Sequence, residues 1–90
     1  MARSDWDDTE VTLRALLGDT LGLDAKRIAA FTDQTELFGA LPVFDSLAVA
    51  TLLTGLEERL AILIEDDDVE AEDFATFGTL LAFVRRKTLV

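Results

Sequence analysis

Residues 44–61 read FDSLAVATLLTGLEERLA, the most informative stretch of this chain. A helix is expected to begin at Ser46 and run to about Ala61. Val49, Leu52, Leu53, Leu56 and Leu60 recur at the spacing of one helix face, about 3.6 residues per turn. Leu47 falls nearly opposite that face, so its side chain is expected in solvent although it is apolar. A serine at a helix start is ordinarily a cap. Here it comes with an exposed leucine beside it and with Glu57 and Glu58 further down the same helix.

Upstream of this helix lies a long connection, Leu23 to Asp45, with Ile28, Phe31, Leu37, Phe38 and Leu41 spread through it. Loops of that length without regular structure are uncommon and are often functional. Its apolar residues predict that it packs on the core, with turns marked by Gly39 and Pro42. Before it, a first helix is expected from about Asp5 to Leu21. Ser4 would cap it, with Asp5, Asp7, Asp8 and Glu10 at its positive end. Leu13, Leu16, Leu17 and Leu21 form its apolar stripe, and Gly22 is placed to end it.

Downstream, seven of the nine residues from Glu65 to Asp73 are acidic. A short helix is expected around Ala71 to Ala75, anchored by Phe74. A last helix should run from Phe77 to Lys87, capped by Thr76, with Phe77, Leu80, Leu81 and Val84 inward. Arg85, Arg86 and Lys87 suit its negative end. The fold class is therefore all-α: three principal helices, one short one and a long first loop, in a single domain over 1–90 with its core at about 5–87.

Composition narrows the function. The chain has 90 residues, half of them hydrophobic, so one modest core is within reach. Eighteen acids against eight bases give a net charge of −10. Such a chain repels nucleic acid and anionic membranes and attracts partners with basic patches. Its self-repulsion should weaken the fold at low ionic strength. No stretch is long enough to span a bilayer and no signal peptide is visible, so a cytoplasmic protein without membrane insertion is expected. Cysteine, histidine and tyrosine are absent. Disulfides, thiolate metal sites, and Ser-His-Asp or Cys-His catalysis are excluded, and no glycine-rich phosphate cradle is present. The alternating acids from Asp66 fail as a calcium loop, because Ala71 stands where the loop glycine belongs and Phe77 where the bidentate glutamate belongs. No catalytic residue, no specific metal site and no enzymatic activity are expected.

The segment Phe44-Asp45-Ser46-Leu47, the apolar run Val49 to Leu56 and Leu56-Glu57-Glu58-Arg59-Leu60 resemble the acyl carrier protein family, whose members have Asp-Ser-Leu at the start of their second helix. Leu17-Gly18, Leu21-Gly22-Leu23, Ile62, Ile64 and Thr76 to Val84 extend the resemblance over nearly the whole chain. It implies that Ser46 accepts 4′-phosphopantetheine from coenzyme A, attached by a phosphopantetheinyl transferase. The arm's thiol then holds acyl groups as thioesters for fatty acid, polyketide or specialised lipid biosynthesis. The same resemblance implies that Asp45 lies beside the phosphate and helps bind the metal ion during modification. It makes Leu47 an apolar contact, and Glu57 and Glu58 ionic contacts, for acyl-transferring or acyl-activating enzymes with basic patches. A monomer is expected.

The chain also departs from the family pattern. Ala48, Val49, Ala50 and Thr51 are uncharged where members often carry acids, Thr54 and Gly55 are small, and Phe44 is bulky. A narrower set of partners follows from so apolar a face. Val43 and Phe44 replace the glycines that often precede the motif in aminoacyl carriers, which favours acyl cargo. The alternatives are an aminoacyl or peptidyl carrier, and an unmodified helical interaction module.

Overall fold

The computed structural model describes residues 7–37 and 46–88, with the backbone alone at positions 46 and 66. The first helix, α1, spans Asp8–Leu21. Asp7 caps it, its Oδ1 accepting the Glu10 N–H at 2.9 Å, and Asp8 and Glu10 place negative charge on its first turn. The cap therefore sits at Asp7 rather than at Ser4. Ser4 and Asp5 lie outside the described residues. Gly22 ends α1 with φ 70°, and the Leu23 N–H reaches back to the Gly18 carbonyl at 3.1 Å. That is the αL closure glycine favours, because a Cβ would crowd the following carbonyl. The expected stripe of Leu13, Leu16, Leu17 and Leu21 is buried.

The connection after α1 is not wholly irregular, which corrects the sequence expectation. A short helix, α2, spans Ala25–Ala29, with Asp24 Oδ1 accepting the Arg27 N–H at 2.9 Å. A five-residue helix has too few turns to leave a periodic signal. Ile28, Phe31 and Leu37 pack into the core as expected. Phe38, Gly39, Leu41 and Pro42 lie outside the described residues.

The second principal helix, α3, spans Ser46–Leu60. Leu52 and Leu56 are fully buried, and Val49, Leu53 and Leu60 pack at the core's edge. Ala48 is also buried, so the inward face centres slightly earlier than the leucine pattern suggests. Gly55 lets α1 approach closely: a Cβ there would stand 2.8 Å from Leu16 Cδ2.

The acidic segment forms two 3-10 turns, Asp66–Asp68 and Ala71–Phe74. The second is the short helix expected around Ala71 to Ala75, in 3-10 rather than α geometry. The reason is that each turn closes on itself. Asp68 Oδ2 accepts the Glu65 N–H and Asp73 Oδ2 the Glu70 N–H, each at 2.9 Å, while the return amide bonds span three residues. Phe74 is buried, the anchor expected of it.

The last helix, α4, spans Phe77–Thr88. Thr76 caps it reciprocally with Thr79: each hydroxyl oxygen accepts the other residue's N–H at 3.1 Å. Phe77, Leu80, Leu81 and Val84 are buried with Phe83, and Phe77 meets Phe31 edge-on at 5.9 Å. Burying a side chain like Phe77 contributes about 1.5–3 kcal/mol. The end of the first loop is strapped across the start of α4. The Thr35 carbonyl accepts the Phe77 N–H at 2.8 Å, the Asp33 carbonyl accepts the Gly78 N–H at 3.1 Å, and the Leu37 N–H reaches the Ala75 carbonyl at 2.9 Å. The first two of these bonds use helix-start amides that would otherwise lack partners. Leu37, fully buried, is thus fixed shortly before the segment that leads to Ser46.

Candidate functional site

Ser46 is the first residue of α3, and no acidic residue stands in the first turn that follows. The backbone N–H groups there lack intrahelical partners by construction, and the helix dipole adds positive potential. That end of α3 therefore suits a phosphate ester on the serine. Leu47 is 75% exposed beside it, while Ala48 and Leu52 turn inward and hold the helix start to the core. This divergence follows from the helical repeat, since Leu47 lies across the helix from the buried positions. Asp45, like Val43 and Phe44, lies outside the described residues.

The two glutamates at the far end of α3 differ. Glu58 is exposed. Glu57 is half-buried, and its Oε2 accepts the Ile64 N–H at 2.8 Å while its own carbonyl accepts the Ile62 N–H at 3.2 Å. Its carboxylate therefore has work inside the chain. Arg59 pairs with Asp19 of α1 at 3.3 Å, both side chains largely in solvent.

Charge elsewhere is organised by features the sequence reading missed. Arg14, facing the core, is 6% exposed. Its guanidinium donates to Glu10 Oε2 at 2.7 and 3.0 Å, to the Ile28 carbonyl at 2.6 Å and to the Phe31 carbonyl at 3.0 Å, and it lies 4.5 Å from the centre of the Phe77 ring. The available signal was Glu10 four residues before an arginine inside an apolar stripe, the spacing of a helical ion pair. At the end of α4, Arg85 meets Asp7 at 3.2 Å and Glu10 at 3.6 Å, Arg86 meets Asp73 at 3.6 Å, and Lys87 meets Asp68 at 2.8 Å. The Lys87 ammonium, then the Glu65 N–H, hold the Asp68 carboxyl below its ordinary value. The Glu10 N–H, then Arg85, do the same for Asp7. The acidic segment is thus divided. Asp68 and Asp73 tie it to α4, while Glu65, Asp67, Glu70 and Glu72 are exposed.

Among the described residues, no three His, Cys, Asp or Glu side chains are grouped to hold a metal ion. Among them also, no helix is long and apolar enough to cross a membrane.

Residues 11–85 match the family described as "Phosphopantetheine attachment site". An acyl carrier protein of Exiguobacterium sp. is 34% identical over 77 residues, covering 86% of this chain and 90% of that protein. The fold is similar to the solution structure of a holo acyl carrier protein from Nitrosomonas europaea, with a TM-score of 0.80 and 35% identity over 94% of this chain and all of the other.

Proposed function

We propose that Ser46 carries the phosphopantetheine arm of this chain, which belongs to the acyl carrier protein family. The observation that carries the reading is the position of Ser46 as the opening residue of α3, within the matched residues. Loading forms a bond from Ser46 Oγ to the phosphorus that bears pantetheine. It breaks the pyrophosphate bond of coenzyme A, releases adenosine bisphosphate and passes the serine proton to the transferase. When attached, the group supplies the terminal thiol, which this cysteine-free chain lacks, to hold an acyl chain as a thioester. The protein's share is to present the serine at a helix end whose first-turn amides would be available to the phosphate, with no carboxylate in that turn to oppose it. Asp45 is assigned to the metal ion during loading.

The cargo we propose is acyl rather than aminoacyl, delivered in the cytoplasm to enzymes of fatty acid, polyketide or specialised lipid synthesis. Leu47 and Glu58 are exposed and suit contacts with such enzymes, whose basic patches the net charge of −10 attracts. The test is the intact mass of the wild-type protein and of Ser46→Ala after incubation with coenzyme A, magnesium and a phosphopantetheinyl transferase. Gain of one phosphopantetheine by the wild type alone is expected. No gain with several transferases would sink the proposal and favour the unmodified interaction module.

A further inference from the structure

Leu63 is 67% exposed, although it sits on a turn whose backbone is held on both sides. Ala61, with φ 55°, reverses the chain at the end of α3. Glu57 then grips the residues flanking Leu63: its carbonyl accepts the Ile62 N–H at 3.2 Å and its Oε2 accepts the Ile64 N–H at 2.8 Å. Ile64 packs against the core. The result is an apolar side chain displayed on a fixed turn, which loses little freedom on binding. Exposed carboxylates of Glu58, Glu65 and Asp67 neighbour it in the sequence.

We infer that the Leu63 turn is a second anchor for the enzyme that loads Ser46, one whose apolar socket is rimmed by lysine or arginine, and that Glu57 acts by presenting Leu63 rather than by pairing with a base. The inference rests on the carrier reading of Ser46. Charge selects this occupant. Two copies packed Leu63 against Leu63 would bring their neighbouring carboxylates together, whereas a partner's basic rim complements them. Geometry allows one partner to reach both anchors. The 15 residues of α3 span about 22 Å. A standard interface of about 800 Å² per partner is wide enough to cover both ends. At 100° per residue, Glu57 projects about 80° from Leu47 around α3, so the turn bonded to it flanks the face that carries Leu47 and Glu58.

The experiment follows the loading kinetics of the full chain by intact mass, with coenzyme A, magnesium and a broad-range phosphopantetheinyl transferase. Melting temperature is monitored for each variant. Leu63→Ser should raise KM for the carrier by about tenfold with kcat and melting temperature unchanged, the behaviour of a buried interface anchor. Glu57→Ala should raise KM similarly by freeing the turn. Glu57→Gln, which keeps an oxygen acceptor for the Ile64 N–H but loses the charge, should restore KM to near the wild-type value. A wild-type KM for Leu63→Ser would overturn the inference, as would Glu57→Gln as damaging as Glu57→Ala, since charge would then be what matters. A dimer in sedimentation that Leu63→Ser abolishes would overturn it in favour of a second copy. A wild type that is never loaded would overturn the carrier reading and this inference with it.

Discussion

The Arg14 guanidinium donates to the carbonyl oxygen of Ile28 at 2.6 Å, tying α1 to the last turn of α2. The same group bonds the Phe31 carbonyl and Glu10 while lying over the Phe77 ring. One side chain thus serves a carbonyl of α2, a carbonyl of the following loop and a half-buried carboxylate. Arg14→Leu leaves those acceptors without it, and stability should fall by about 2–4 kcal/mol, the range for breaking a buried charged network. Arg14→Lys should recover only part, because an ammonium cannot reproduce the planar fork. Urea unfolding of the three proteins measures both. A loss below about 1 kcal/mol for the leucine variant would mean that water replaces the arginine in this role.

Two glycines on helices should respond differently to alanine. At Gly78 a Cβ would stand 2.7 Å from the Asp33 carbonyl oxygen, a backbone atom fixed by its bond to the Gly78 N–H. Gly78→Ala must push the strap away, at about 1–3 kcal/mol. At Gly55 the obstacle is Leu16 Cδ2, the tip of a rotatable side chain, at 2.8 Å. The gain in helix propensity there, up to about 1 kcal/mol, offsets most of the repacking. Thermal melts should therefore show a clear drop for Gly78→Ala and little change for Gly55→Ala. Equal drops would show that Leu16 is as rigid as backbone.

What the sequence revealed and what it hid divide along physical lines. Periodicity located α1, α3 and α4 because Leu13 to Leu21, Val49 to Leu60 and Phe77 to Val84 each repeat over several turns. The exposure of Leu47 follows from that register alone. The single-turn helix at Ala25–Ala29 and the 3-10 turn at Asp66–Asp68 were hidden because too few residues repeat, whereas Phe74 marked the place of the turn at Ala71–Phe74. Their signals are short-range caps, Asp24 to Arg27 and Glu65 to Asp68. The strap on α4 was hidden because it is made of backbone groups, Thr35 to Phe77 and Asp33 to Gly78, which every sequence carries. The inward role of Glu57 leaves no mark in the sequence, because its hydrogen bond to Ile64 depends on the reversal at Ala61, which no glycine announces.

That reversal is itself testable. Ala61 stands with φ 55° where helix ends favour glycine, and an L-residue there costs roughly 1–2 kcal/mol. Ala61 is exposed, so its methyl group contributes little packing in return. Ala61→Gly should stabilise the protein by about 0.5–1 kcal/mol after the larger freedom of glycine in the unfolded chain is allowed for. A rise in the urea midpoint without a change in slope checks this. A fall would mean that restricting the unfolded chain matters more than the strain.

Acid should unfold the protein partly through Asp68. Its carboxyl is held below 3.8 by Lys87 and the Glu65 N–H, and Asp7 is shifted the same way by the Glu10 N–H and Arg85. Carboxyls lowered in the folded state contribute stability that is fully present above their unfolded value and lost as pH falls through the folded one. The urea midpoint should therefore drop below about pH 4. Asp68→Asn should be less stable at neutral pH and lose less on acidification. Parallel acid limbs for the two proteins would exclude Asp68 as a source of the drop.

Salt acts on two opposed sets of charges. The ion pairs of Arg59 with Asp19 and of Arg85 with Asp7 are largely exposed, and such pairs are each worth about 0–1 kcal/mol and weaken on screening. Against them stands the repulsion of a net charge of −10 in a molecule whose longest extent is 35 Å. At 0.01 M salt the screening length is about 30 Å, so charges act across most of the molecule, whereas at 0.1 M it is about 10 Å and only neighbours interact. Raising salt over that range removes the long-range repulsion while the less exposed pairs, Arg14 with Glu10 and Lys87 with Asp68, keep most of their strength. The melting temperature should therefore rise between about 0.01 and 0.1 M sodium chloride. A flat or falling curve would mean that the ion pairs at the end of α4 already compensate the acidic surface.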